Sequence, residues 1–566
     1  MNNIVFLIMR RMRLPLLTLV AVYAITVLGM TLIPGQDADG NVWYMDIFHA
    51  FYFVSFMSTT IGFGEIPYPF SDAQRLWVTF SIYVTVIAWL YAIGTIISLL
   101  QDKTFQRAVA ERLFARKVRQ MREPFYLVCG YGETGQTLVR AFTERGQHVV
   151  VLDCDEERIA MIQLQDLRDY VPALAADARH PLHLQEAGLP HPACAGVVAV
   201  TDDNLINLKI AITSKLLHPN IKVICRADSR DVEDNMASFG TDEIVDPFET
   251  FARYLVLALQ MPCLYLLQRW VGGERGAALE EPVYPPAEGR WLVCGYGRFG
   301  KAMVARLARE GIEFTVVEAR PDITGEPPPG YVLGRGTEAR TLREAGIDEA
   351  VGLIAGTDDD ANNLSIVMTA RELRPDLFVI LRQNQSENRD LVHAVSADMV
   401  MQPSAIIAER IRVLLATPML SRFFSLAAHR ENDWACELVA RLIALLGDQV
   451  PLVRELEVDA RHADALLRRL EEGEPVCLGE VLRDPWTRER SLCCMALMVE
   501  RRGERILVPG DDFRLAAGDH LLLVGQESAF TRLAWNLGHD AALDYVRTGQ
   551  PAPQGWLWRR LTRGSR

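Results

Sequence analysis

The chain has 566 residues, a formal net charge of −13 and 50% hydrophobic residues. At about 150 residues per domain, this length favours three or four domains. The acidic balance argues against a nucleic-acid partner, because affinity for phosphate backbones depends on Lys and Arg. All ten cysteines lie from Cys129 onward, without CxxC spacing and mostly in apolar runs. This pattern favours reduced core cysteines in a cytosolic compartment.

Two uncharged apolar runs near the start of the chain, residues 14–33 and 76–100, are long enough to cross a bilayer. Arg10, Arg11 and Arg13 precede the first run, and seven basic residues between 103 and 122 follow the second. The segment between the runs has only Arg75. The positive-inside rule then predicts a protein with two spans in the plasma membrane or cell inner membrane, with both termini in the cytoplasm.

The segment between the two spans carries a short apolar helix followed by a glycine-containing loop. Asp46 is a candidate N-cap for a helix over residues 46–58, which is too short to span and is expected to re-enter the membrane. The sequence TTIGFGE follows it. Residues 1–102 are therefore predicted to form an α-helical, two-span membrane domain with a re-entrant helix and loop.

The order of span, short helix, TTIGFGE and span resembles the pore of potassium channels, and residues 60–64 resemble their TVGYG selectivity filter. The resemblance implies that K⁺ is coordinated by the carbonyl oxygens of Thr60, Ile61, Gly62 and Phe63 and by the Thr60 hydroxyl, with Gly64 completing the filter. Glycine allows the alternating backbone that aligns these carbonyls. Because one loop cannot encircle an ion, four copies of the chain are needed. Gly94 in the second span is a candidate gating hinge or a close-packing residue.

The cytosolic part of the sequence contains an internal repeat. Residues 127–155 align with residues 292–320 at an offset of 165, and later landmarks such as Thr201 and Thr357 align at an offset of 156. The difference places a net deletion of nine residues in the second copy. This shared spacing indicates two copies of one domain.

Each copy opens as a strand, a GxGxxG turn and a helix, which is typical of Rossmann domains. An acidic residue follows at the end of the next strand, Asp153 in the first copy and Glu318 in the second, where it could bind ribose hydroxyls of an adenine nucleotide. The alternative is that the glycines serve packing and that neither copy binds a ligand.

A two-span pore followed by tandem Rossmann domains resembles the prokaryotic potassium channels that are gated by RCK domains (regulators of K⁺ conductance). The resemblance implies crossover helices with turns at Pro262 and Pro418, and a ring of eight RCK lobes in a homotetramer. Only the second copy continues into a small C-terminal α+β lobe. The predicted boundaries are linker 103–123, first RCK lobe with crossover 124–271, linker 272–289, second RCK lobe 290–426, helical connection 427–450, C-terminal lobe 451–540 and tail 541–566.

The nucleotide clefts of the RCK family map onto the two copies residue by residue. In the first copy the resemblance assigns Gly130, Tyr131, Gly132, Glu133, Thr134, Gly135, Asp153, Asp177 and Thr201. In the second it assigns Gly295, Gly297, Arg298, Phe299, Gly300, Glu318, Arg320, Thr337 and Thr357. Arg298 could approach a phosphate. Thr337 stands where the first copy has Asp177, so the two clefts could differ in ligand or affinity.

Together these features predict a homotetrameric, K⁺-selective channel that intracellular ligands gate through its RCK domains. The candidate ligands are NAD or ADP, with Ca²⁺ as a further candidate. The pairs Asp202-Asp203 and Asp511-Asp512 and the run 358–360 offer oxygen ligands without EF-hand spacing, so no Ca²⁺ site is assigned and solvated acidic loops remain the alternative. A membrane-anchored NAD-dependent oxidoreductase is the other candidate function, but no catalytic arrangement accompanies the glycine turns, so we expect no enzyme.

Overall fold

The computed structural model describes residues 2–273, 278–279 and 281–550. These residues divide into two compact units, Met1–Met121 with Glu186–Gly188, and Arg122–Gln185 with Leu189–Arg566. The basic, Trp-bearing end of the predicted tail, from residue 551, lies outside the described residues, as does part of the linker 272–289. The two units are described separately below.

The first unit is helical apart from one short hairpin. Its elements are α1 (Asn2–Leu32), β1 (Gly35–Gln36), β2 (Val42–Trp43), α2 (Ile47–Ser58), α3 (Asp72–Gln101) and α4 (Lys103–Arg119). Two segments, Ile8–Leu32 and Asp72–Gln101, are long and apolar enough to cross a membrane. The first begins before the run 14–33 and the second extends beyond both ends of the run 76–100. Most of the predicted linker 103–123 is the helix α4.

Local hydrogen bonds explain where the helices of the first unit begin and how α1 meets α3. The Asp46 carboxylate accepts from the His49 backbone N–H at 2.8 Å and caps α2. Ser71 and Gln74 form a capping box at the start of α3, and their side chains also reach the carbonyls of Pro34 and Ile33 after α1. These bonds join the end of α1 to the start of α3.

The first Rossmann lobe is a six-stranded parallel sheet with the strand order β5-β4-β3-β6-β7-β8. Its strands are β3 (Phe125–Cys129), β4 (His148–Asp153), β5 (Ala173–Ala175), β6 (Cys194–Ala199), β7 (Lys222–Arg226) and β8 (Glu243–Val245). Its helices are α5 (Glu133–Thr143), α6 (Glu156–Ile162), α7 (Pro181–Glu186), α8 (Asn204–Leu217) and α9 (Arg230–Ser238), followed by the crossover helices α10 (Pro247–Gln260) and α11 (Pro262–Gly272).

The second Rossmann lobe has the same parallel order, β11-β10-β9-β12-β13-β14. Its strands are β9 (Arg290–Cys294), β10 (Phe314–Glu318), β11 (Val332–Leu333), β12 (Ala350–Ala355), β13 (Phe378–Arg382) and β14 (Met399–Met401). Its helices are α12 (Arg298–Arg309), α13 (Pro321–Thr324), α14 (Ala339–Glu344), α15 (Asp360–Leu373) and α16 (Arg389–Ala394), with 3₁₀ turns at Ile347–Glu349 and Ser386–Asn388. The helices α17 (Pro403–Ala416), α18 (Pro418–Ala427) and α19 (Asn432–Leu446) follow.

The two lobes exchange their crossover helices. Phe248 and Phe251 of α10, which follows the first sheet, belong to the core that surrounds Phe299 of the second lobe. Ile407 and Ile411 of α17, which follows the second sheet, are fully buried in the core of the first lobe. The cores of the two lobes are therefore completed reciprocally, and neither lobe buries its apolar surface without the other.

The C-terminal lobe follows only the second copy. Its sheet is antiparallel with the order β15-β18-β16-β17, from β15 (Leu452–Glu457), β16 (Cys494–Arg501), β17 (Glu504–Leu507) and β18 (His520–Gly525). Its helices are α20 (Asp464–Glu471), α21 (Leu478–Val481), α22 (Glu527–Gly538) and α23 (Asp540–Thr548). The α-helical first unit, the tandem Rossmann lobes and this α+β lobe confirm the predicted fold class.

The expectation that all cysteines are reduced is wrong for one pair. Cys263 at the start of α11 and Cys436 in α19 form a disulfide, although 173 residues separate them in sequence. Cys129, Cys194 and Cys225 are free and buried, as expected of core cysteines. The pair was missed because the packing of α11 on α19, and not any local spacing, brings the two sulfurs together.

Candidate functional sites

The loop after α2 has an alternating backbone conformation. Thr60, Gly62 and Gly64 have φ values of 63°, 70° and 98°, in the left-handed region that favours glycine. Left-handed backbone at every second residue turns successive carbonyl groups towards the same side of the chain. A non-glycine residue in this conformation is strained, and such strain concentrates at functional sites.

Contacts within the first unit hold both ends of this loop. The Ile61 N–H donates to the Phe56 carbonyl of α2 at 3.0 Å, and the Phe63 ring lies 5.4 Å from the Phe56 ring. At the other end, the Glu65 carboxylate accepts from the Arg75 Nε at 2.9 Å and from the Phe70 N–H at 2.9 Å. The loop backbone is therefore fixed between α2 and α3.

The loop and its side chains are open in a single chain. Ile61 and Phe63 are 59% and 65% exposed. A Cβ atom added at Gly94 would meet nothing within 4 Å, so close packing within one chain gives no reason for that glycine. The helix α3 is unbroken at Gly94, and its role as a hinge stays a prediction.

The two GxGxxG turns have the same geometry. The first glycine of each turn, Gly130 and Gly295, has a φ of 105° and 98°. A Cβ atom at the third glycine, Gly135 or Gly300, would lie 2.1 Å or 2.0 Å from the carbonyl oxygen of the first. Only glycine fits this approach of helix and strand. Gly132 and Gly297 are the N-caps of α5 and α12.

The acidic residues at the strand ends are buried and bind the glycine turns. The Asp153 carboxylate accepts from the Tyr131 N–H at 2.5 Å, and the Glu318 carboxylate accepts from the Tyr296 N–H at 2.6 Å. Both acids are 6% exposed. Since a carboxylate has about four acceptor sites, each acid can shape its turn and still accept from a ribose hydroxyl.

Several assigned residues have structural contacts. The side chains of Tyr131, Thr134 and Phe299 are buried. A ligand in either cleft could therefore contact the backbone of Tyr131 and Phe299 but not their rings. Asp177 pairs with Arg179 at 2.7 Å, and hydrogen bonds from Arg179 lower the pKa of the Asp177 carboxyl. Thr337 accepts through its carbonyl from the Thr369 hydroxyl. Arg320 is exposed and donates its N–H to Glu318 at 2.7 Å.

Thr201 and Thr357 belong to a buried hydrogen-bond network that is the same in both lobes. The Thr201 hydroxyl donates to the Asn207 amide oxygen at 2.7 Å, and the Asn207 amide donates to the carbonyls of Thr201 and Arg226. Asn363 makes the equivalent bonds to Thr357 and Arg382. The two amides join the ends of neighbouring strands and are completely buried.

The first residue of the helix after each glycine turn differs in charge, and in both lobes it contacts the other lobe. In the first lobe, Glu133 accepts from the N–H and hydroxyl of Ser386, both at 2.9 Å, and from the Ser404 hydroxyl at 3.3 Å. In the second lobe, Arg298 forms an ion pair with the buried Asp228 of the first lobe. Ser386, Ser404 and Asp228 were not identified from the sequence, because no short spacing links them to the turns.

The second cleft carries a pair of guanidinium groups. Arg298 and Arg382 lie 5.5 Å and 5.1 Å from the centre of the Phe248 ring. Burial and the nearby charge of Arg298 lower the pKa of Arg382 to about 10, and its buried Nε has no hydrogen-bond partner in the part of the chain that the structure describes. This edge of the second cleft therefore suits a phosphate group.

The first cleft has a different charge arrangement. Glu133 puts a carboxylate at the N-terminus of α5, where a phosphate would otherwise gain from the helix dipole. Arg158 lies 3.5 Å from the position of a Cβ on Gly132, but its guanidinium also contacts Asp155 at 3.4 Å and Asp153 at 4.0 Å. The positive charge near this turn is thus largely balanced by the chain's own carboxylates.

The acidic runs do not gather into a cation site in the part of the chain that is described. No group of three or more His, Cys, Asp or Glu side chains there could hold a metal ion. Asp202 pairs with Arg226 at 2.8 Å, and Asp203 and Asp359 cap α8 and α15. Asp360 accepts from the Asn384 and Gln385 N–H groups. These contacts account for Asp202, Asp203, Asp359 and Asp360 as an ion-pair partner, helix caps and a hydrogen-bond acceptor.

Comparison with known proteins finds the same domain in both copies of the internal repeat. Residues 126–247 and 291–403 match the TrkA-N domain. Potassium channel protein 1 of Methanocaldococcus jannaschii is 25% identical over 203 residues, which are 36% of this chain and 59% of that protein. Probable potassium channel protein 2 of the same organism is 29% identical over 141 residues, 24% of this chain and 41% of that protein. The chain thus spans about half the length of these relatives.

The solved structure of the GsuK channel bound to NAD aligns with 95% of this chain and with 100% of its own chain. The TM-score of this alignment is 0.48 and the sequence identity is 17%. Two segments of this chain thus match the TrkA-N domain, and part of the chain is similar to two archaeal potassium channel proteins. The names of the two Methanocaldococcus relatives describe potassium channels, so these relatives do not support the oxidoreductase alternative.

Proposed function

We propose that the chain is one subunit of a homotetrameric, K⁺-selective channel. The observation that carries this proposal is the left-handed backbone at Thr60, Gly62 and Gly64. With alternate residues in this conformation, the carbonyls of residues 60–63 face one axis and replace the hydration shell of K⁺. The exposure of the loop in a single chain supports an assembly in which other copies complete the ring.

The orientation of the proposed channel places both termini in the cytoplasm. Arg11 near the start of α1 pairs with Asp102 after α3 at 2.8 Å, so the basic ends of the two spanning helices meet at one side of the first unit. The excess of Lys and Arg in α4 supports a cytoplasmic location for that side. The TrkA-N lobes then follow in the same compartment, next to a lipid bilayer that the two helices cross twice.

A nucleotide such as NAD or ADP regulates the proposed channel, with its phosphates in the second cleft. Arg298 is both the cleft residue that faces a phosphate and the residue that pairs with Asp228 of the other lobe. A phosphate on Arg298 competes with Asp228, so binding favours lobe arrangements in which this ion pair is weakened. A ligand changes gating only if its affinity differs between two such arrangements. Ca²⁺ remains a candidate ligand without assigned residues.

The filter assignment is tested by Gly62→Ala in the full chain reconstituted into liposomes. The left-handed conformation costs an L-residue about 1–2 kcal/mol, and the cost recurs in each of the four subunits. We expect G62A to lose K⁺ flux or its preference for K⁺ over Na⁺, while ADP binding is unchanged.

Gly40→Ala is the matched control for this experiment. Gly40 has a φ of 84° and, like Gly62, has nothing within 4 Å of an added Cβ, but it lies in the turn between β1 and β2. K⁺ flux should survive G40A. Selective K⁺ flux in G62A equal to that of G40A would contradict the filter assignment.

A further inference from the structure

A cavity of about 180 Å³ lies away from both glycine turns, within the second unit. It is formed where the turn after α5, the ends of α11 and α17, the start of α18 and the beginning of β15 meet. Its lining includes Arg145, Gln147, Arg412, Leu420 and Val453. Since pockets for drug-sized ligands occupy about 300–1,000 Å³, this cavity suits a smaller molecule and not a dinucleotide.

Two arginines of the cavity lack an ion-pair partner among the residues that the structure describes. Arg412 is 8% exposed and donates to the Gly272 carbonyl, and Arg145, in the turn after α5, lines the cavity while part of its surface stays open to solvent. Burial and the neighbouring charge of Arg412 lower the pKa of Arg145 to about 10. Burial also lowers the pKa of Arg412, although the charge of Glu409 offsets part of this effect. Two guanidinium groups without an ion pair at one cavity favour a bound anion.

The rest of the lining limits the kind of anion. Leu420 and the residues from Val450 to Val453 form an apolar wall. Among the described residues the buried amide oxygen of Gln147 has no hydrogen-bond partner, so a hydroxyl donor would satisfy it. A ligand that matches this lining carries one negative group and a short hydrocarbon body, with a hydroxyl group as an additional contact.

We propose that this cavity binds a small aliphatic carboxylate. The carboxylate lies against Arg145 and Arg412, and the hydrocarbon body lies against Leu420 and the start of β15. Because the lining comes from the first Rossmann lobe, both crossovers and the entry to the C-terminal lobe, a bound molecule fixes these parts to one another. The site is separate from the two nucleotide clefts and does not depend on the ion selectivity of the chain.

The test uses isothermal titration calorimetry on the full chain in detergent, with four small probes. Isovalerate should bind once per chain. Isoamyl alcohol, which keeps the hydrocarbon without the charge, and inorganic phosphate, which keeps charge without the hydrocarbon, should bind at least tenfold more weakly. 2-Hydroxyisovalerate should bind more tightly than isovalerate because its hydroxyl reaches the Gln147 oxygen.

Variants locate the binding site. Arg145→Gln should weaken isovalerate binding at least tenfold, whereas Arg140→Gln, the same charge change at an exposed position of α5, should leave it unchanged. Thermal unfolding of both variants checks that they fold. The proposal is overturned if wild-type protein does not bind isovalerate at millimolar concentration, if phosphate binds as tightly as isovalerate, or if R145Q binds like R140Q.

Discussion

The two TrkA-N lobes share their internal framework but differ at the first residue of the helix in each glycine turn. Asn207 and Asn363 make the same buried bonds, and Gly135 and Gly300 make the same close approach to their turns. The first helical residue after each turn is Glu133 in one lobe and Arg298 in the other. The comparison teaches that packing restricts the framework of a duplicated domain, whereas the helix N-terminus is free to take either charge.

A second difference between the lobes concerns one hydrogen-bonded pair at the strand ends. In the first lobe Asn204 donates to Asp228, and in the second Asn384 donates to Asp360 at 2.9 Å, so the amide and the carboxylate have exchanged places. The exchange leaves the carboxylate of the first lobe, Asp228, at the position that pairs with Arg298. The ion pair between the lobes therefore depends on a carboxylate at Asp228, where the second lobe has the uncharged amide of Asn384.

The largest effect that bears on this comparison is expected from the shared framework. Asn207→Ala and Asn363→Ala each leave buried backbone groups without partners, which costs about 2–3 kcal/mol. Chemical unfolding of the full chain in detergent should show a similar loss for both variants. A large loss for one and none for the other would contradict the equivalence of the two frameworks.

The difference in charge between Glu133 and Arg298 is tested by Arg298→Gln. Loss of a charge-assisted hydrogen bond to phosphate should weaken ADP binding about tenfold, or about 1.4 kcal/mol. Calorimetry on the full chain measures the affinity. Arg309→Gln, at the exposed end of the same helix, is the matched control and should bind ADP like the wild type. Equal affinity in R298Q and R309Q would remove the second cleft as the phosphate site.

A smaller effect is expected from Glu133→Gln, measured in an R298Q background so that binding reports the first cleft. Removing a charge next to a helix N-terminus changes the energy of a nearby anion by about 0.3–1 kcal/mol. ADP affinity should rise by about twofold to fivefold relative to R298Q alone. Unchanged affinity would show that Glu133 does not limit the first cleft.

The disulfide is the last difference between the copies, because Met419 stands where the first copy has Cys263. Its effect on function is expected to be the smallest of those considered, so it is tested chemically. Alkylation of the denatured, unreduced chain should modify eight of its ten cysteines, and all ten after reduction. Mass spectrometry gives the count. Ten modified cysteines without reductant would contradict the bond between Cys263 and Cys436.

The sequence alone predicted the elements that depend on local pattern. Two long apolar runs, TTIGFGE and the repeated GxGxxG turns were sufficient for the order of the domains and for the fold class. The reciprocal exchange of α10 and α17 was not predictable, because amphipathic helices show an apolar face without naming the surface that covers it. The contact of Glu133 with Ser386, 253 residues away, and the Cys263–Cys436 bond depend on that exchange.

The helix α4 lies within the predicted linker 103–123, for which the sequence analysis named no secondary structure. Its sequence from Lys103 to Arg119 is rich in charged residues. The Asp102 carboxylate caps the helix by accepting from the Thr104 and Phe105 N–H groups. A capping signal at Asp102 followed by strong helix formers could have identified it.

Single-channel recording in planar bilayers tests the central claim most directly. Full-length protein is recorded in K⁺ and then in Na⁺, with NAD⁺, ADP or Ca²⁺ applied to the cytosolic face. We predict a K⁺-selective current whose open probability changes when a nucleotide is added. A current that carries Na⁺ as well as K⁺ would contradict the filter, and a K⁺ current that responds to none of the ligands would contradict gating by the TrkA-N lobes.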